Sequence, residues 1–244
     1  MDAIYAQKVM ASEVKTPTRE LIDTLLLQVS IANPKEQERI NAELESYGVY
    51  KYDSPIIERP VTRTGTGDVD LTTPTIYYEA WSTYWSVTCG GEWNSIDYGD
   101  FIGNVGGADG FGVGYTNSSN EYKSHVISAS AYLTDANNRY YESTSNRSDG
   151  DGSKGFGFRL QDSWEGGIGN YVGHKWSGIC TYDRWFGNYN GIATAYYIHT
   201  YDSANLTGVS FGVEGKTAGI DISINFQEDS FTTFSNDKTF GVYP

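Results

Sequence analysis

From Ile76 to the end of the chain, short stretches of alternating apolar and polar residues follow one another, with almost no helical spacing among them. A strand turns successive side chains to opposite faces, so this pattern commits most of the chain to β-sheet. Ile127, Ala129, Ala131 and Leu133 share one face of the cleanest example. Further strands are expected at 76–78, 85–89, 111–115, 155–160, 171–182, 191–200, 207–213, 220–226 and 230–234. Turn signals such as Asp135-Ala136-Asn137-Asn138 separate them. Regularly spaced short strands argue for a jelly-roll-like antiparallel β-sandwich and against alternating parallel α/β units. Rings make up 15% of the 244 residues and 28 glycines sit among them, so large flat side chains are expected to build the core.

The first fifty residues differ. Over 16–48 the chain reads as a helical hairpin. Thr16-Pro17 predicts a cap followed by proline at the first helical position. Ile22, Leu25, Leu26 and Val29 then recur at helical spacing. Asn33-Pro34 ends that helix and starts another, with Asn33 and Glu36 spaced as a capping box. Ile40, Leu44 and Tyr47 form the second stripe, and Gly48 suits the position past the end. Residues 51–75, with Pro55, Pro60, Pro74, Gly65 and Gly67, have no period and read as an extended linker. The expected organisation is a helical leader (1–50), a linker (51–75) and an all-β sandwich (76–244). The leader's stripe packs on the body or pairs with another chain, so self-association is one expectation.

The formal net charge is −14, which repels phosphate backbones and anionic lipid and argues against a nucleic-acid partner. No apolar run approaches the length of a transmembrane helix, and Leu25-Leu26-Leu27 is far too short for one. The chain starts without a basic segment followed by an apolar one, so it shows no signal peptide. Low charge content with many Tyr, Asn, Ser, Thr and Gly suggests an exported or surface protein, with Met1 either native or added to a mature chain.

Cys89 and Cys180 are the only cysteines, and they make one disulfide or two buried thiols. They sit in an internal echo: Trp85-Ser86-x-x-Cys89 against Trp176-Ser177-x-x-Cys180. If the echo marks a duplicated half, the two cysteines face one another across the core as a disulfide. A second echo sets Gly110-Phe111-Gly112-Val113 against Gly155-Phe156-Gly157-Phe158. Such glycines mark bulges or close approach of a backbone or ligand.

The histidines His125, His174 and His199 are scattered, and His199 lies in a strand pattern as a core or sheet-face residue. No H-E-x-x-H helix occurs. Glu79, Glu92, Glu165 and Asp183 lie near tryptophans, which keeps a glycoside hydrolase as the last alternative. Asp149, Asp151 and Ser153 alternate like the start of a calcium loop, but Lys154 and Leu160 break the EF-hand pattern. That segment is a calcium site or a solvated turn. Trp164, Trp185 and Tyr189 stand in a Gly- and Asn-rich stretch and are the expected ligand-contacting rings, since flat aromatic faces stack on sugars. The Ser/Thr-rich hairpin 124–145 also has the alternation of a pore-lining pair.

Three stretches carry a resemblance. They are Ile76-Tyr77-Tyr78-x-x-Trp81 with Trp85-Ser-Val-Thr-Cys-Gly-Gly-x-Trp93, then Asp109-Gly-Phe-Gly-Val-Gly-Tyr115, and Ser145-Asn-Arg-Ser-Asp-Gly-Asp-Gly-Ser-Lys-Gly-Phe-Gly-Phe158. With the leader end Asn41-Ala-Glu-Leu-Glu-x-x-Gly48-Val49, this set resembles uncharacterised secreted proteins of Gram-positive bacteria. The resemblance implies export and no particular activity. The expected function is therefore non-catalytic binding of glycan or cell-envelope material at the cell surface. A self-assembling structural protein and a secreted toxin or pore-former are the alternatives.

Overall fold

The computed structural model describes residues 17–58, 69–94, 103–104, 106–117, 124–147, 154–165, 170–200 and 230–241. Two helices lead, α1 (Arg19–Ile31) and α2 (Pro34–Ser46). Nine strands follow: β1 (Val49–Lys51), β2 (Ile56–Ile57), β3 (Val69–Leu71), β4 (Thr75–Glu79), β5 (Trp85–Trp93), β6 (Gly103–Asn104), β7 (Asp109–Asn117), β8 (Val126–Thr134) and β9 (Tyr140–Thr144). Then come β10 (Gly155–Leu160), β11 (Ser163–Trp164), β12 (Tyr171–Val172), β13 (Lys175–Tyr182), β14 (Gly191–Thr200) and β15 (Ser230–Phe240). The protein is an all-β body with an N-terminal helical hairpin. The strands expected at 207–213 and 220–226 lie outside the described residues.

Every described strand pairing is antiparallel. One sheet has the order β1-β4-β5-β13-β8-β9, with β3 also on β5. The second runs β10-β7-β14-β15-β2, and a small third sheet runs β12-β11-β6. The linker segment is thus tied into both large sheets: Ile56 and Ile57 pair with Lys238 and Asp237, and Val69–Leu71 pairs with β5.

The seven-stranded sheet is covered on both faces. Val87, Cys89, Leu133, Trp176 and Tyr182 meet Phe111, Val113, Phe156, Phe158 and Tyr197 of the five-stranded sheet in the main core. The opposite face, through Tyr77, Tyr132 and Ile179, packs on Ile22, Leu25, Leu26, Val29, Ile40 and Leu44 of the helices. This is why β13 is buried along nearly its whole length and does not alternate. Each of those helical side chains removes its apolar surface from water, worth about 1.5–3 kcal/mol apiece. Two hydroxyls trapped below the helix are satisfied: Ser177 Oγ donates to the Leu27 carbonyl at 2.8 Å and lies 2.6 Å from Ser30 Oγ.

The helix caps follow the local chemistry. Asn33 caps α2, its side chain accepting from the Glu36 amide, with Pro34 in the first turn. Helix α1 begins two residues later than expected: Thr18, not Thr16, is its cap, accepting from the Leu21 amide. Gly48 has φ 73°, a conformation costly for any residue with a Cβ.

The two echoes turn out to be pairs of neighbouring strands. β5 and β13 are antiparallel partners, and Thr88 pairs with Ile179 midway between the cysteines. Cys89 lies opposite Gly178, and Cys180 lies opposite Val87. The cysteines therefore sit on one face of one sheet, not across the core from each other, and both are free buried thiols. Desolvation raises both thiols, Cys180 to about 12, so each remains protonated and inert. In the second echo Gly112 pairs with Gly157. A Cβ on Gly112 would stand 2.0 Å from the Phe156 carbonyl and 2.8 Å from Tyr196 Oη, so the close approach is by the neighbouring strand.

Gly90 and Gly91 do opposite jobs on successive faces. A Cβ at Gly91 would lie 2.5 Å from the Trp176 ring on the core side. At Gly90 it would meet Ser30 Oγ at 2.9 Å and Ile31 Cγ2 at 3.0 Å, where α1 rests on the sheet. Gly90→Val is expected to lift α1 and cost about 1–3 kcal/mol in urea unfolding. A variant as stable as the parent would show that this contact does not set the helix position.

Candidate functional site

Helix α1 lies across the seven-stranded sheet but leaves its β8–β9 edge open on the helical side. The result is a cleft of about 1120 Å³ between the hairpin and that edge. Its walls carry many neutral hydrogen-bonding side chains, among them Thr24, Gln28, Ser130, Ser143, Thr144 and Asn146. Leu27, Ile31 and Tyr132 add apolar surface. The acids are Glu20, Asp23 and Glu36, and Arg39 is engaged by Glu36 at 2.7 Å and Glu43 at 3.0 Å. Burial raises the Asp23 carboxyl, against the opposing pull of Arg19. Asp135 shapes the β8–β9 turn, accepting from the Asn137 and Arg139 amides, with Asn138 at φ 58°.

The expected contact rings do not gather into one platform. Trp164 is buried in β11, packed on Tyr171 at a centroid distance of 5.1 Å. Tyr189 is buried edge-on to Phe186. Rings held this way have no free face for a ligand, and Trp185, 46% exposed, is the accessible member of the three. It sits in a 3-10 turn (Arg184–Asn188) after β13, capped by Asp183, with the Arg184 guanidinium 4.9 Å from its ring. Trp81, 39% exposed, occupies the β4–β5 turn at the same end of the sheet, since Trp85 pairs with both Tyr78 and Tyr182. Beside Trp81, Ser82 donates to Glu79, which binds Arg19, which binds Asp23 in the cleft. The calcium-like residues Asp149, Asp151 and Ser153 lie outside the described residues.

A third cluster was not apparent in the sequence. Asp109 at the start of β7, Asp162 after β10 and His199 near the end of β14 converge at one end of the main core. Asp109 accepts from Tyr197 Oη and from the Thr200 amide at 3.1 Å, and His199 Nδ1 stands 3.0 Å from its Oδ1. Asp162 accepts from Tyr171 Oη and from Gln161 at 3.3 Å. Trp93 meets the His199 ring edge-on at 5.1 Å, and Trp176 stacks on Tyr197 at 4.0 Å. Burial, then the facing Asp109 carboxylate, push Asp162 up to about 9. The single trace in the sequence is His199 inside a strand pattern. Asp109 and Asp162 are ordinary strand-end acids until the fold brings them together.

No family model matches the chain, and no curated protein matches it. One solved structure, from work on pH-induced modulation of Streptococcus parasanguinis adhesion by Fap1 fimbriae, aligns with 81% of this chain and 91% of its own length. Its TM-score is 0.31 at 12% identity, and a likeness of that size carries no argument here. Among the described residues no helix is long and apolar enough to cross a membrane.

Proposed function

We propose that the protein is a non-catalytic binder of the cell exterior, taking a neutral glycan or similar hydroxyl-rich envelope polymer in the cleft between α1 and the β8–β9 hairpin. The observation that carries this reading is the cleft lining. Hydroxyls and amides from Thr24, Gln28, Ser130, Ser143 and Asn146 both donate and accept, as sugar hydroxyls require. Ile31, half-buried, supplies apolar surface for the C–H face of a ring. Glu20 and the overall charge of −14 work against anionic polymers. Trp81 and Trp185 extend the surface as exposed rings at the end of the same sheet. The buried acids Asp109 and Asp162 are closed to solvent, so they offer no acid or base to a substrate.

The test is binding to isolated cell walls and a glycan array. Thr24→Arg and Ser143→Arg, which fill the cleft from opposite walls, are expected to weaken binding by about tenfold or more, a loss of about 1.4 kcal/mol. Trp185→Ala is expected to weaken it less. Full binding by both arginine variants, with unchanged melting temperatures, would remove the cleft as the site.

A further inference from the structure

We propose that Asp109, Asp162 and His199 hold one first-row divalent transition-metal cation inside the core, where it ties β7 and β14 of the five-stranded sheet to the β10–β11 connection that leads into the small sheet. Each residue offers one ligand atom, and the three atoms lie within 4.8 Å of one another. None of the three is more than 4% exposed. Two carboxyl groups facing each other out of water are stable only when one is neutralised, by a proton or by a cation standing in the proton's place. Among the described residues no lysine or arginine pairs with either; the one cationic candidate is the imidazole itself.

Two further features point to a ligand. The Thr200 hydroxyl is buried and without a hydrogen-bond partner among the described residues, and its own amide donates to Asp109. An uncommitted oxygen therefore belongs to a residue already in contact with the group. The carboxylates are also held from outside, Asp109 by Tyr197 and Asp162 by Tyr171, as ligands are commonly oriented by a second ring of donors. The donor set selects the cation. An imidazole with two carboxylates suits zinc or manganese. Calcium takes six to eight oxygens and finds too few here. The three elements bound together are β7, β14 and the β10–β11 connection, far apart in sequence, so the ion would act on stability and not on a substrate.

Because the cluster is closed, the ion enters as the chain folds. The experiment is refolding of the full chain from denaturant with zinc, manganese or calcium alone, followed by dialysis, elemental analysis and thermal melting. The expected result is one zinc or manganese ion per chain, a melting temperature raised by several degrees over chelator-treated protein, and altered tryptophan fluorescence from Trp93 beside His199. Asp162→Asn and His199→Gln are expected to abolish all three. Asp162→Asn removes one of two facing acids and is expected to fold without metal, so the test survives failure of the histidine variant. Sub-stoichiometric metal after dialysis overturns the proposal. So do equal retention by Asp162→Asn and an equal effect of calcium.

Discussion

In chelator-treated protein, the free energy of unfolding is expected to fall as the pH rises from the ordinary aspartate range toward about 9, through Asp162. The sign follows from proton counting. Burial and the Asp109 carboxylate raise the folded-state value of Asp162, so between the unfolded value of 3.8 and about 9 the folded chain holds a proton that the unfolded chain has lost. Raising the pH therefore favours unfolding across that window. Other acids contribute their own slopes, and a comparison with Asp162→Asn isolates this one. The amide keeps the shape and carries no charge, so the variant is expected to lose little at acid pH and to become the more stable protein toward alkaline pH. Urea unfolding of both proteins across the window is the measurement. Parallel curves would show that the acid pair does not control stability.

The second large effect concerns the seam between leader and body. Glu79 is 0% exposed and accepts from Ser82 at 2.8 Å, from Ser86 at 3.4 Å and from Arg19. Arg19 reaches it from the first turn of α1 and also binds Asp23 at 2.7 Å, with its own side chain 24% exposed. Arg19→Met leaves a buried carboxylate without its cation and is expected to cost about 3–5 kcal/mol. Adding Glu79→Gln to that variant removes the stranded charge and is expected to restore much of the loss. A double-mutant cycle in denaturant measures the coupling. If Arg19→Met costs less than about 1 kcal/mol, the hairpin is held by its apolar stripe alone.

That stripe was legible from spacing, because Ile22, Leu25, Leu26 and Val29 need only helical geometry to share a face. The same holds for Asn33 as a cap and for Gly48 past the end of α2. Their signals lie within a turn or two of chain. Trp164 and Tyr189 show the limit of such reading. Nothing local separates a ring that packs on Tyr171 or Phe186 from one that faces water like Trp185. The cysteine echo was readable as matched positions. Whether those positions lie across the core or side by side depends on sheet order, which no short stretch contains.

What the sequence determined by itself is therefore local: period-two strands, a capped helical hairpin, a polyanionic surface and a core made of rings. What the tertiary structure alone decided is which distant residues meet. His199 and Asp109 are 90 positions apart, Arg19 and Glu79 are 60, and Ser30 and Ser177 are 147. The physical reason is that strand pairing and layer packing are settled by burying surface against surface. A residue's neighbours in space then follow from the register and cover of whole sheets, as the cleft beside β8–β9 does from the length and angle of α1.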